Sequence, residues 1–423
     1  MSSNEPALPS PSDAASAPPL SPAPPSAEDR DPYRWVVIAQ IWLHQMLTQI
    51  TMVGMGIMLL GIRADLGFGT TQAGWLGATR TVGQLVVFPA SFLAVKFAPK
   101  RLYSVLTFAL GIMMILGGFA PAFWALFATQ VVFSLSMALA QVPGSLLRTQ
   151  WVPSKELGRV WGTGNALNAV AQTGALVGIP LVLGVLGGWR GVFHAAGVLM
   201  LLAAVVWAVT GRQRGEHRAA GPESNFSALR RPEYYLLGLA SLGGATAYLA
   251  CLLFLPTFLV QERGLSLQTA GFVSAVFPAA GLVSNVASGF VSDRVGRRKI
   301  FIWPSGLLLP FLYILTVSPL PVWALVPVVF LLGFFAWLPF PSIASIAYEL
   351  PNVRPAEIAV GQALQQAVSG AGILCGPIIV GAVAAYAGSL RVGIIAIGML
   401  PILFALTCLW LPDTGPKATA ARS

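Results

Sequence analysis

The polar residues of this chain come in short bursts between long apolar runs. Each run is long enough for a helix to cross the roughly 30 Å hydrocarbon core of a bilayer. In the first half the runs are 34–62, 71–96, 101–120, 123–146, 158–184 and 190–210. In the second half they are 234–260, 268–292, 299–318, 321–349, 356–384 and 390–412. The pattern predicts an all-α membrane protein with twelve transmembrane helices.

The pattern also repeats. At an offset of 197 residues Ala73-Gly74 falls on Ala270-Gly271, Lys100-Arg101 on Arg297-Arg298, and Gly164 on Gly361. Pro180 then falls on Pro377 and Gly184 on Gly381. One ungapped offset in so apolar a chain predicts two pseudo-symmetric six-helix halves, a construction common in secondary transporters. The expected organisation is a disordered Pro/Ser/Ala-rich tail at 1–32, a half at 33–210, a polar central loop at 211–233, a half at 234–412 and a tail at 413–423.

Composition agrees. Of 423 residues 56% are hydrophobic and 9% charged, against about 25% charged in soluble domains. The net charge of +10 could suggest nucleic acid, but the cations sit in short loops. Lys and Arg divide 20 to 4 between the two ends of the predicted bundle, with Arg80 left inside it. This bias places both termini and the central loop in the cytoplasm of a plasma (inner) membrane and argues against nucleic acid. Cys251, Cys375 and Cys408 lie in apolar runs without metal-ligand spacing. No nucleophile elbow, nucleotide loop or His/Cys/Asp cluster calls for a catalytic residue, metal or cofactor.

Between segments 8 and 9 stands Gly289-x-x-x-Asp293-Arg294-x-Gly296-Arg297-Arg298. Gly289 permits close helix packing and Gly296 a tight turn, while Asp293 can accept hydrogen bonds from free N–H groups at a neighbouring helix start. This run resembles the signature loop of the major facilitator superfamily (MFS), and the resemblance covers about residues 33–412. It implies a cytoplasmic latch in which Asp293 meets the start of segment 5 near Gly158-Arg159. A weaker likeness, Gly188-Trp189-Arg190-x-x-Phe193, resembles a pattern frequent in anion-carrying branches. The first half departs from the loop: Lys96 stands at the position of Asp293 and Pro99 at that of Gly296. The readings left open are a lost latch or a swapped pair of Lys96 with Glu357.

Polar groups in hydrocarbon are costly and should face protein or a water-filled cavity. Segment 1 carries Gln40, His44 and Thr48 on one stripe, with Gln45 and Gln49 beside it; segment 5 carries Asn165, Asn168 and Gln172; segment 11 carries Gln362, Gln365 and Gln366. Helical rise brings His44, Asn168 and Gln365 to about 14–15 Å depth, near the midplane. Arg80 lies roughly 12 Å into segment 2, with Phe277 at its repeat position. Two roles are open for it, an anion ligand in the cavity or a snorkelling arginine bonded to carbonyls. The amides can likewise be ligands or interhelical glue.

The leading expectation is alternating-access transport of a small organic anion such as a carboxylate, with His44 able to carry a coupling proton. A monomer is the default state. Proton-coupled drug efflux is the alternative, but segment 4 offers Gln130 and no deep arginine. A non-transporting membrane receptor is the second alternative.

Overall fold

A computed structural model of the chain describes residues 31–94, 97–214, 230–295, 297–350 and 355–414. Most of the expected tails and of the central loop, with Lys96 and Gly296, lie outside these residues. The first half consists of α1 (Tyr33–Leu66), α2 (Thr70–Ala94), α3 (Pro99–Gly118), α4 (Phe123–Trp151), α5 (Ser154–Val182) and α6 (Trp189–Thr210). The second consists of α7 (Pro232–Gln261), α8 (Leu267–Val295), α9 (Trp303–Val317), α10 (Val322–Trp337), α11 (Pro339–Glu349), α12 (Pro355–Ala387), α13 (Leu390–Gly398) and α14 (Ile402–Cys408). No strand occurs among the described residues.

Segment 10 appears as α10 and α11, and segment 12 as α13 and α14. Pro339 and Pro401 stand at the breaks, and proline supplies no N–H to continue a helix. Counting each such pair once, eleven spans among the described residues are long and apolar enough to cross a membrane. The remaining helix, α2, carries Thr79, Arg80, Thr81 and Gln84 at mid-length. Twelve helices in two six-helix halves are the fold.

The repeat positions have physical jobs. Gly67 and Gly264, one offset apart, follow α1 and α7 at φ of +66° and +65°, a left-handed conformation that suits glycine. Gly67 N–H closes the helix on the Arg63 carbonyl at 2.9 Å. Asp65 and Glu262 are likewise one offset apart. Asp65 pairs with Arg190 and accepts from Trp189 Nε1 at 3.1 Å. Glu262 accepts from Ser389 Oγ at 2.8 Å and from the backbone N–H of Leu390. Each acid therefore ties the end of the first helix of its half to the start of the sixth.

The halves meet through exchanged partners. A Cβ on Gly74 of α2 would lie 2.5 Å from the carbonyl oxygen of Pro377 in α12. A Cβ on Gly271 of α8 would lie 2.5 Å from the carbonyl oxygen of Leu176 and 3.0 Å from Cγ of Pro180, both in α5. The glycine and proline kept by the repeat thus form the two symmetry-related crossings, where small residues let backbones touch. Gly56 of α1 is nearly as tight against α7, where a Cβ would fall 2.8 Å from the Leu253 carbonyl oxygen. All three crossings lie in the half of the bundle away from the chain termini, here the far side. Contacts between the halves reach from there to mid-bundle, where Gln84 meets Gly370 and Gln172 meets Tyr248. Beyond that level, toward the terminal side that holds the ends of the chain, a polar cavity takes their place.

Candidate functional site

The cavity has a volume of about 250 Å³. Helix spacing decides what lines it. From α1 come His44, Gln45, Thr48 and Gln49, which follow one face at i, i+1, i+4 and i+5. From α5 come Asn168 and Gln172, four residues apart. Arg80 and Gln84, also four apart, come from α2. Thus Arg80, His44, Gln45, Gln49, Asn168 and Gln172 are brought together.

The other candidates are elsewhere. Asn165 is exposed on α5 and does not line this cavity. Gln362 and Gln365 of α12 are also outside it, and Gln365 Nε2 donates to Ser241 Oγ of α7 at 3.2 Å. Gln365 thus turns toward its own half, where Gly238 of α7 packs closely on Val368 and the Gln365 carbonyl, while Gln366 is exposed. The cavity is therefore built mainly by the first half, and the repeat is broken at its polar positions.

Arg80 is buried at 7% exposure. Among the described residues no hydrogen bond or ion pair holds its guanidinium, and no carboxylate lines the cavity. Tyr248 of α7 is near enough to feel its charge. That phenol donates to Gln172 Oε1 at 3.4 Å, crossing from one half to the other. With its oxygen turned to Tyr248, Gln172 has its amide N–H groups to offer other partners.

His44 is buried, with Nδ1 2.7 Å from the Gln40 carbonyl oxygen. A carbonyl can only accept, so Nδ1 carries a hydrogen. Nε2 is buried without a partner among the described residues. The ring packs edge-on against Tyr103 and Trp207, with centroids at 5.6 and 6.5 Å.

Sequence spacing misses several lining residues. Hydropathy puts Arg148 in the loop beyond segment 4, but α4 continues to Trp151 and buries it in the cavity wall. Segment 4 holds no arginine at mid-depth, and Arg148 stands three residues before the end of α4. Its guanidinium carbon lies 4.4 Å from the ring centroid of Trp161 in α5. Tyr103, Gln84, Gln141 and Thr107 also line the cavity. The signal available for Arg148 is its place on the Met137–Gln141–Gly144 face of α4, which continues at helical spacing to position 148.

The expected latch is seen only in part. Gly289, Asp293 and Arg294 belong to α8, and Glu357 to α12, but the side chains of Asp293, Arg294 and Glu357 are outside what the structure describes. Arg297 is exposed, while Arg298 is buried and donates to Glu349 Oε1 at the end of α11, from Nη2 at 2.7 Å and Nε at 3.1 Å. Lys299 pairs with Asp413 at 3.3 Å. These bonds fasten the loop within the second half. The Gly188-Trp189-Arg190 run is bound to Asp65 on the far side, and Arg190 Nη2 donates to the Ala120 carbonyl at 3.1 Å. Its geometry is that of a helix-end clasp rather than a cavity ligand.

Two like six-helix halves, crossed by small residues on one side and parted by a polar cavity on the other, define a polytopic α-helical membrane protein of two-fold construction. The chain belongs to the Major Facilitator Superfamily, which it matches over residues 41–362. It is 27% identical over 275 residues to the probable nitrate/nitrite antiporter NarK1 of Thermus thermophilus, covering 60% of each chain. It is 25% identical over 312 residues to the probable galactarate/D-glucarate transporter GudP of Bacillus subtilis, covering 63% of this chain and 67% of that one. The alignments thus span about two thirds or less of these relatives' own length. A solved bacterial homologue of the human lysosomal transporter Spinster, in an inward-facing conformation, superposes with a TM-score of 0.78 at 18% identity. That superposition covers 90% of this chain and 97% of the other.

Proposed function

We propose that this protein is a secondary active transporter of a small organic anion, most plainly a carboxylate, working by alternating access. The observation that carries the reading is Arg80: a buried cation in a polar cavity with no carboxylate among the described lining residues. An unmatched cation costs about 2.5–3.5 kcal/mol in a membrane helix even on insertion scales. A carboxylate from solution supplies the missing charge with two acceptor oxygens suited to the guanidinium fork. Gln172, Asn168, Gln45 and Gln49 supply neutral donors around it. The relatives named for sulfoacetate and for galactarate/D-glucarate handle anions by name and support the class. The match to the multidrug resistance protein MdtG of Proteus mirabilis, 26% identical over 297 residues, keeps drug efflux as the competing reading.

The cation bias supports a cytoplasmic terminal side, and in a plasma (inner) membrane the cavity then opens inward. Rocking about the three glycine crossings then closes that side and opens the other. His44 Nε2 is the free basic position in the cavity wall, and a proton added there accompanies the anion. The substrate and the proton are its partners, in a monomer within the bilayer. The test is uptake of labelled carboxylates by proteoliposomes with and without a pH gradient. Wild type is expected to accumulate a carboxylate on the gradient and Arg80→Ala to lose that uptake. Transport of a cation or neutral drug that ignores Arg80→Ala overturns the anion reading.

A further inference from the structure

We propose that Arg148 and Trp161 form a second anion site at the mouth of the cavity, on the substrate's path between Arg80 and the open, terminal side. The proposal rests on the anion reading above and adds a second station on the path.

Three arginines are buried among the described residues: Arg80, Arg148 and Arg298. Arg298 is neutralised by Glu349 at 2.7 Å. More exposed arginines also have acids, as in Arg34 with Glu156 at 3.2 Å and Arg214 with Asp31 at 2.7 Å. Arg80 and Arg148 differ: no acceptor among the described residues bonds either, and both line the same cavity. Arg148 Nε is buried without a partner. Its one strong neighbour is the Trp161 ring, 4.4 Å from the guanidinium carbon. Stacking on a ring holds the guanidinium plane but uses none of its in-plane N–H donors, so the fork remains free for a carboxylate. Tyr103 and Gln141 line the same end with neutral polar groups.

The two cations are too far apart to grip one small anion. Gly83 N–H of α2 donates to Ser134 Oγ of α4 at 3.0 Å, which sets the register of these parallel helices. On that register Arg148 is about 17 residues beyond the level of Arg80, or about 25 Å along the bundle. That exceeds a short dicarboxylate even with both side chains extended. Arg80 is therefore the inner site and Arg148 the outer one. The direction is set by the fold, because α4 ends three residues later at Trp151 on the open, terminal side. At the repeat positions stand Phe277 and Ser345, so both stations belong to the first half. A cation at a narrow mouth raises the local concentration of anions, an effect that salt weakens.

The experiment is equilibrium binding of labelled succinate and, separately, D-glucarate to the purified full-length protein in detergent at low ionic strength. Wild type is expected to bind two equivalents. Arg148→Gln should lose one and Arg80→Gln the other. Trp161→Leu, which leaves the charge but removes its platform, should weaken the outer equivalent at least fivefold, and it stands in if Arg148→Gln does not fold. Added succinate should quench Trp161 fluorescence, a signal absent from Trp161→Phe. One equivalent in wild type, lost in Arg80→Gln and untouched in Arg148→Gln and Trp161→Leu, overturns the mouth site and leaves the transporter reading intact. Binding indifferent to Arg80→Gln, or no binding of either probe to wild type, overturns the anion reading and the mouth site with it.

Discussion

A guanidinium that lacks an acid is a cost to the fold unless something outside the chain meets it. Arg80 therefore predicts opposite signs for stability and function. Replacing it with Gln removes an unmatched buried charge, so thermal unfolding in detergent without substrate should move upward or stay level. The same change removes a charge-assisted pair worth about 3 kcal/mol, and the half-saturating concentration of a carboxylate should rise about a hundredfold. A fall in both would make Arg80 a structural residue. His44 makes a second prediction at this scale. His44→Gln should flatten the pH dependence of uptake, read from initial rates. Asp31 should not share that effect. The backbone N–H of Tyr33 holds its carboxyl below the usual aspartate range, with Arg214 adding to it. Its clasp is present above that range and lost only as pH falls through the lowered value, so Asp31→Asn should leave the profile unchanged. Arg80 and His44 are visible in the sequence because each is polar inside an apolar run. Arg148 is not, because near the end of a run a cation looks like a loop residue, and only the true length of α4 buries it.

At the level of helices, the proposed alternating access requires the halves to part at the glycine crossings. A methyl on Gly74 or Gly271 meets a backbone carbonyl at 2.5 Å, which no side-chain rotation can relieve. Gly74→Ala and Gly271→Ala should each hinder closure of the far side and slow transport at least tenfold. Far-side labelling of a cysteine placed in the cavity wall at Thr48 should rise in both variants. Unchanged labelling with normal transport would show that the backbones separate without cost. The acid clasps are a different matter. Asp65 and Arg190 are half-exposed, with side chains at 45% and 35%, so Asp65→Asn should cost no more than about 1 kcal/mol. Positions kept by the repeat mark these crossings in the sequence, and the exchange of Gly74 with Pro377 and Gly271 with Pro180 explains why they are kept. The segment edges are legible to a few residues. The breaks at Pro339 and Pro401 are not, since hydropathy runs straight through them.

For the whole molecule, the parted terminal side and closed far side are one of the two arrangements that the proposed alternating access requires. Gln141→Cys, exposed on the cavity wall, should react with a membrane-impermeant maleimide offered on the terminal side and lose that reactivity when transport is driven toward the other state. Two-fold construction is legible from the 197-residue offset, but the cavity is not two-fold. Its polar wall is contributed by α1 to α5, with α7 contributing Leu249 and Leu252. Gln362 and Gln365 look like mirror images of Asn165 and Asn168 in sequence, yet Ser241 draws Gln365 into its own half. Side-chain partners across helices decide such cases, and spacing along one helix does not record them.

The central claim is that the cavity selects negative charge through Arg80. The direct measurement is proteoliposome uptake of three four-carbon compounds that differ in charge: succinate, 4-aminobutyrate and 1,4-diaminobutane. The account predicts that wild type takes up succinate well above the other two and that Arg80→Gln abolishes this preference. Uptake of the diamine equal to or faster than that of succinate, or a preference unchanged in Arg80→Gln, would contradict it.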